Sequence, residues 1–131
     1  MKRRRTDEGA AAVEFALLLP ILLLLVFGIV DFSRLLNAQL NLTEAAREGA
    51  RAESLGALDP EGRAAEVAGD LDVDVDVSSC PSPPGPDDAA VATVSHDFEF
   101  VTPIPGLSVL FGGSLGGSVT LTGEGNMPCL A

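Results

Sequence analysis

The residue best suited to acid–base chemistry is His96, the single histidine of the 131-residue chain. Ser95 and Asp97 flank it, and together they are the residue types of a hydrolytic triad. However, the alternation of apolar and polar residues here predicts a β-strand, in which adjacent side chains point to opposite faces. The sequence also has no phosphate-binding loop or dinucleotide fingerprint. We therefore expect no triad, no cofactor, no small-molecule substrate and no enzyme activity.

A row of carboxylates in LDVDVDV, residues 71–77, is a second candidate site. Its alternation predicts a half-buried strand with Asp72, Asp74 and Asp76 on one face. Calcium ligands usually converge at a glycine-containing turn, whereas side chains along one strand diverge. Like charges on an edge strand also oppose aggregation with other strands. We favour this protective role over a metal site, and whether residues 70–76 have a ligand stays open.

The element that must position the other candidates is the apolar stretch at residues 10–30, AAAVEFALLLPILLLLVFGIV. As a helix that rises about 1.5 Å per residue, it spans a hydrocarbon core of about 30 Å. Only a helix satisfies its own backbone in lipid without partners, so we predict a transmembrane helix that tolerates Pro20. Its one charged residue, Glu14, costs about 2.5 kcal/mol or more toward the bilayer centre and requires an explanation.

Charge is distributed unevenly on the two sides of this stretch. Residues 1–9 hold four cations and two acids, whereas residues 31–131 hold four arginines and 16 acids. The positive-inside rule predicts a single-pass protein of the cytoplasmic membrane, with residues 1–9 in the cytoplasm and the acidic part outside. The acidic exterior opposes nucleic acid as a partner, because phosphate binding needs clustered Lys and Arg.

The stretch is longer than the apolar core of a secretory signal peptide, which has about 7–15 residues. No small-residue cleavage motif occurs where it ends, in GIVDFSRLLNA. We therefore expect the anchor to remain, with any cleavage elsewhere.

The junction before the helix, RRRTDEGAAAVEF, indicates a different cleavage site. Gly9 follows the basic residues, Glu14 stands five places after it, and Phe15 is next. This arrangement resembles the substrates of type IV prepilin peptidases, which cut after a glycine on the cytoplasmic side. The resemblance implies cleavage between Gly9 and Ala10. The new amino group could then pair with Glu14 of a neighbouring subunit, which offsets the cost of burial. The alternative is an ordinary signal anchor with an interfacial glutamate.

The resemblance extends along the chain. The run that starts at Gly9, together with AAREGARA at 45–52, is similar to the TadE-like family. Members of this family are pilin-like proteins (pseudopilins) of the tight-adherence (Flp pilus) apparatus. More loosely, VTPIPGLSVLFGG and SVTLTGEGNM resemble the ends of such proteins. The family implies prepilin-peptidase processing and a role in pilus assembly. The implied partners are membrane lipid, the peptidase, other pilin-like subunits and pilus assembly proteins, and the location is the membrane or an assembled pilus. The alternative function is an unprocessed, signal-anchored extracytoplasmic interaction protein.

The helix is expected to continue outside the membrane over residues 31–55 and to end at Gly56 and Pro60. A period of 3.6 residues groups one apolar stripe, which consists of Phe32, Leu35, Leu36, Leu40, Leu42, Ala46 and Ala50. We expect this stripe to pack on the chain's own C-terminal domain, with packing on neighbouring subunits as the alternative. Small residues around Gly49 would permit close approach of an element that the sequence does not specify.

The remainder, residues 56–131, is predicted to form a small antiparallel sheet. Strands are expected at 71–77, 90–100 and 118–123, with a short helix at 60–69. The fold class is then α+β: a basic leader (1–9), a transmembrane helix (10–30), a protruding helix (31–55) and a small extracytoplasmic β-rich domain. Export of Cys80 and Cys129 to an oxidising compartment favours a disulfide between them, whereas two cysteines without clustered histidine argue against zinc.

Overall fold

The computed structural model describes residues 5–103, 106, 112–113 and 117–130. Within these residues the chain forms two helices followed by three strands, which confirms the α+β class. The elements are α1 (Arg5–Ser54), α2 (Pro60–Ala68), β1 (Asp74–Val77), β2 (Ala89–Glu99) and β3 (Ser118–Pro128). The chain divides into two compact units, one of 1–33 with 100–115 and one of 34–99 with 116–131.

Helix α1 contains the whole apolar stretch and continues past it without a break, with Pro20 inside. The side chains of residues 9–26 are all exposed, as expected for residues that face lipid. The helix is long and apolar enough to cross a membrane. A single apolar N-terminal helix of this kind suggests a single-pass membrane anchor.

The C-terminus of α1 is a glycine-capped turn. Gly56 has a φ of +70°, which is a conformation that residues with a Cβ rarely adopt. Its N–H donates to the Glu53 carbonyl at 2.9 Å, and the Ala57 N–H donates to the Ala52 carbonyl at 2.9 Å. This pair of bonds is a Schellman motif, and it ends the helix close to the predicted boundary.

Helix α2 begins with a side-chain cap. Asp59 accepts a hydrogen bond from the Gly62 N–H at 2.9 Å, and Pro60 occupies the first turn. Both features are favourable at a helix start, because the first N–H groups have no partner within the helix. The predicted short helix is confirmed.

The sheet is antiparallel with the order β1-β2-β3. Strand β2 pairs with β3 from Ala89 opposite Pro128 to Glu99 opposite Ser118. The three predicted strands are present, but β1 begins three residues late, at Asp74, and β3 continues five residues past the predicted end at 123.

The alternation in β2 gives the sheet one buried face, as predicted. Ala90, Ala92, Val94 and Phe98 are buried, and His96 is half-buried in the same series. The other buried apolar residues come from α1, α2 and β3: Ala38, Leu42, Ala45, Ala46, Ala50, Ala64, Ala68 and Leu121.

The predicted apolar stripe of α1 is right only in its second half. Leu42, Ala46 and Ala50 are fully buried, whereas Phe32, Leu36 and Leu40 are 62%, 46% and 66% exposed. The buried face instead includes small residues, Ala38, Ala45 and Gly49. The part of the predicted stripe over residues 32–40 consists of large side chains, whereas packing selects small ones such as Ala38 because they let neighbouring elements come close.

Candidate assembly site on helix α1

The predicted cleavage junction lies in the exposed N-terminal part of α1. Gly9, Ala10 and Glu14 are all exposed, and Phe15 is 64% exposed. A Cβ placed on Gly9 would have no heavy atom within 4 Å, apart from the local helix backbone. Ala10 and Glu14 are spaced i, i+4, so they lie on the same side of the helix about 6 Å apart along its axis.

Asp31, the residue directly after the apolar stretch, is a site that sequence reasoning missed. Its side chain is 2% exposed. The Val101 N–H donates to Oδ1 at 3.4 Å, and the Thr102 hydroxyl donates to Oδ2. The carboxylate thus holds the backbone just after β2. The only signal in the sequence was an acidic residue at the end of an apolar run.

One turn further along α1, Arg34 lies over the ring of Phe98 with 5.3 Å between the guanidinium carbon and the ring centroid. Such an arrangement attracts the cation to the negative face of the ring and is worth about 0.5–1 kcal/mol when exposed. This contact, also missed, connects α1 to the end of β2.

Glycines of β3 bring this strand into close contact with the backbone of α1. A Cβ on Gly123 would overlap the Leu42 carbonyl and lie 2.7 Å from the Thr43 amide nitrogen. A Cβ on Gly125 would lie 2.6 Å from the amide nitrogen of Arg47. These distances are too short for any side chain, so the strand needs glycine at both positions.

Gly49 performs the same role toward two other elements. A Cβ here would lie 3.0 Å from the Ala64 Cβ of α2 and 3.3 Å from the Ala92 Cβ of β2. In addition, the Gln39 amide donates to the Thr122 carbonyl of β3 at 2.8 Å. The small-residue surface of α1 therefore receives α2, β2 and β3 of the same chain.

The comparisons with known proteins concern this helix. Residues 9–51 match the family model for TadE-like protein. The match confirms the resemblance over residues 9–51, about a third of the chain, and it begins at Gly9, the glycine of the predicted junction. The resemblance of the C-terminal segments stays a prediction. It supports a pilus-related, pilin-like role, and the TadE-like family is a structural family that is not known for enzymes. No curated protein and no solved structure matches the chain.

Ion pairs lie on the surface of the C-terminal half of the matched residues 9–51. Glu44 pairs with Arg47 at 3.4 Å, and Glu48 pairs with Arg51 at 3.9 Å. Glu48 also binds Arg63 of α2 at 3.3 Å, and Arg63 binds Glu66 at 2.8 Å. The hydrogen bonds to Glu66 and then Glu48 raise the pKa of Arg63 above its ordinary value. The Arg63 guanidinium is charged at physiological pH in either case, so the raised pKa does not change its charge there.

The predicted disulfide joins Cys80 to Cys129, with 5.9 Å between the Cα atoms. It lies beside the C-terminal end of α1. The Cys80 N–H donates to Glu53 Oε1 at 2.9 Å, and the Leu130 N–H donates to the Ser54 carbonyl at 3.4 Å. The proline-rich loop and the C-terminal residues are thereby held together at the helix end.

Asp72 and Asp74 of the predicted acidic row line an open groove together with His96. The His96 Nδ1 is 2.7 Å from the Asp72 carbonyl oxygen, so this nitrogen donates. Asp97 accepts a hydrogen bond from the Thr120 hydroxyl at 2.6 Å. His96 and Asp97 thus both have structural partners. Among the described residues, no cluster of three or more His, Cys, Asp or Glu side chains is arranged to hold a metal ion.

Proposed function

We propose that the protein is a membrane-anchored, pilin-like subunit that takes part in assembly of a tight-adherence pilus or secretion apparatus. In this proposal a prepilin peptidase removes residues 1–9, residues 10–30 span the membrane, and residues 31–55 continue outside as a helix that carries the β-rich domain. The observation that carries the proposal is the TadE-like match, which starts at Gly9 on an exposed apolar helix.

Cleavage after Gly9 requires the peptide bond to leave the helix and enter the peptidase. Gly9 favours this step, because glycine in a helix costs about 1 kcal/mol relative to alanine. It also has open space around it, so the backbone can be approached without obstruction. Hydrolysis would leave Ala10 with a new amino group.

The pairing of this amino group explains why a carboxylate is present in the apolar stretch. Glu14 is exposed on α1, and its one-turn spacing from Ala10 puts the two residues about 6 Å apart along the helix axis. A neighbouring helix shifted by about one turn would bring its amine to the depth of Glu14. In a bundle of such helices, the amine of one subunit can bind Glu14 of the next. The pair replaces two unpaired charges in lipid, each of which costs several kcal/mol.

A second surface for assembly is the exposed apolar pair Leu36 and Leu40. If the span ends near residue 30, Leu40 lies about 15 Å further along the helix, beyond a headgroup layer of about 5–8 Å. Lipid around an upright helix therefore cannot cover Leu40. A helix of a neighbouring pilin-like subunit could cover it.

The decisive test is the N-terminal sequence of the protein recovered from membranes of cells that contain an active prepilin peptidase. The mature chain should begin at Ala10. Gly9→Val should leave the chain uncut but inserted, because the apolar stretch is unchanged. Ala12→Val, a similar enlargement three residues later, is the matched control and should be cut normally.

Substitution of Glu14 separates processing from assembly. Glu14→Leu makes insertion easier but removes the partner of the new amine, so the protein should accumulate in the membrane and fail to enter pili. Glu14→Gln keeps the size of the side chain and should fail as well if charge is what matters. A wild-type chain that retains Met1 or another residue before Gly9 would contradict the proposal and favour an unprocessed, signal-anchored interaction protein.

A further inference from the structure

The inference concerns Asp31 and the residues that it holds. A buried carboxylate is stable only when hydrogen bonds replace the lost water. Here Val101 and Thr102 supply them, immediately after β2. All three residues belong to the compact unit of 1–33 and 100–115. Asp31 therefore fixes the start of the β2–β3 connection against the helix, next to the end of the apolar stretch.

Apolar residues that are near Asp31 and Thr102 in the chain have exposed side chains. Val101 is 74% exposed, Ile29 is 61% exposed and Phe32 is 62% exposed, whereas Asp31 is 2% exposed. In water the opposite arrangement would be expected, with the charge outside and the apolar groups covered. The arrangement is favourable where the surroundings are themselves apolar.

Sequence position identifies lipid as these surroundings. Phe32 follows residue 30 by about 3 Å of helix, which is within the headgroup layer of about 5–8 Å. Residues 100–117 contain no charged side chain, although residues 31–99 contain 19. Val101 and Thr102, at the described start of this connection, can approach the membrane interface without the cost of removing water from charges.

We propose that Asp31 clamps the start of the β2–β3 connection to the outer boundary of the bilayer, where Val101 and Phe32 contact lipid. The chain then has a second membrane contact besides its span. This proposal goes beyond the function proposed above and does not depend on processing after Gly9.

The test uses the full chain reconstituted in phosphatidylcholine–phosphatidylglycerol vesicles. Because the chain has no tryptophan, Val101→Trp introduces a single fluorophore. Its emission should be blue-shifted, and lipids brominated near the headgroup end of the acyl chains should quench it. Tryptophan itself favours the membrane interface, so quenching at position 101 must exceed that of a tryptophan elsewhere on the surface. Leu130→Trp, at a position that is also exposed, is the matched reference. We expect at least twofold stronger quenching at position 101.

The clamp is tested in the Val101→Trp chain. Asp31→Ala and Thr102→Val each remove hydrogen bonding, and lipid quenching should fall toward the level of Leu130→Trp. Thr102→Ser keeps the hydroxyl and should preserve the quenching. Circular dichroism checks that each variant is folded. If Asp31→Ala unfolds, the clamp is judged from the lipid quenching of Thr102→Val compared with that of Thr102→Ser.

Three results would overturn the proposal. Equal quenching at positions 101 and 130 would show that Val101 does not contact lipid. A blue shift that depends on protein concentration, without quenching by brominated lipid, would show that a second copy covers this surface. Undiminished quenching in a folded Thr102→Val chain, with Asp31→Ala also undiminished, would show that Asp31 does not position the connection. None of these results bears on the N-terminal sequence, so the two proposals fail independently.

Discussion

At the scale of single residues, the glycines of β3 have an unusual role. Glycine normally weakens a strand, because it adds flexibility and contributes no side chain to packing. In β3, Gly123 and Gly125 are buried and face the backbone of α1 around Leu42 and Ala46. The contact is between backbones, so the loss of strand propensity is offset by close packing of strand on helix.

Replacement of Gly123 by alanine should therefore destabilise the folded domain by about 1–3 kcal/mol or more, the range for added atoms in a packed core. The measurement is thermal unfolding of the full chain in detergent, followed by circular dichroism. Gly117→Ala makes the same chemical change where a Cβ meets nothing within 4 Å, and it should leave the midpoint nearly unchanged. Equal effects of the two substitutions would show that β3 does not need the close approach.

The two cysteines provide a second prediction at this scale. Thiol labelling of the denatured, unreduced protein should detect no free thiol, because Cys80 and Cys129 are bonded to each other. Cys80→Ser should lower stability by about 2–4 kcal/mol, since the bond closes a long loop. Efficient labelling of both positions without reductant would contradict the bond.

At the scale of elements, α1 packs through its small residues and leaves its large apolar residues exposed. Leu42, Ala46 and Gly49 pack against the chain's own sheet and second helix. Leu36 and Leu40 face away from that core. The first alternative derived from the sequence, packing on the chain's own domain, is therefore confirmed for this half of the helix. Packing of the exposed face on a neighbouring subunit stays a prediction.

This division can be tested by comparing substitutions on the two faces. Leu36→Glu and Leu40→Glu should leave thermal stability within about 0.5 kcal/mol of wild type, as for other surface changes, and should reduce incorporation into pili. Leu42→Ala, on the buried face, should cost about 2–5 kcal/mol. Pilus yield and unfolding midpoint are measured for each variant, and normal incorporation of both glutamate variants would exclude the exposed face from assembly.

The elements themselves were predictable, because each depends on a local pattern. The apolar run, the alternation in LDVDVDV and AVATVSHDFEF, and Gly56 with Pro60 gave the helices and strands. Tertiary contacts were not predictable in this way. Helical periodicity favours large apolar residues such as Leu36 and Leu40 for the buried face of α1, although Ala38 and Ala45 are the buried residues. A glycine such as Gly123 indicates the end of a strand, although β3 continues through it. Asp31 was missed because its partners lie 70 residues away in the chain.

At the scale of the whole molecule, charge and apolarity divide the chain along its length. The four cations of the first nine residues contrast with a C-terminal part that contains 16 acids and four arginines. All four of those arginines are on the helices: Arg47, Arg51 and Arg63 are paired with glutamates, and Arg34 lies over the ring of Phe98. Four cations precede the span within nine residues, whereas Arg34 is the one cation among residues 31–40. The excess of basic residues beside the span is therefore at the N-terminus.

This asymmetry predicts the orientation, because positive residues beside an apolar span are retained in the cytoplasm. A phosphatase that is active only outside the cytoplasm should be active when fused after Ala131, and silent when fused before Met1. Replacement of Arg3, Arg4 and Arg5 by glutamate should lower the activity of the C-terminal fusion, since it removes the charge that holds the N-terminus inside. Replacement of the same residues by lysine keeps the charge and should preserve activity.

Immunoblotting must show equal amounts of each fusion in the membrane. A stable but silent C-terminal fusion of the wild-type chain would reverse the orientation. It would also place Gly9 on the side away from the cytoplasm, where a prepilin peptidase could not cut it.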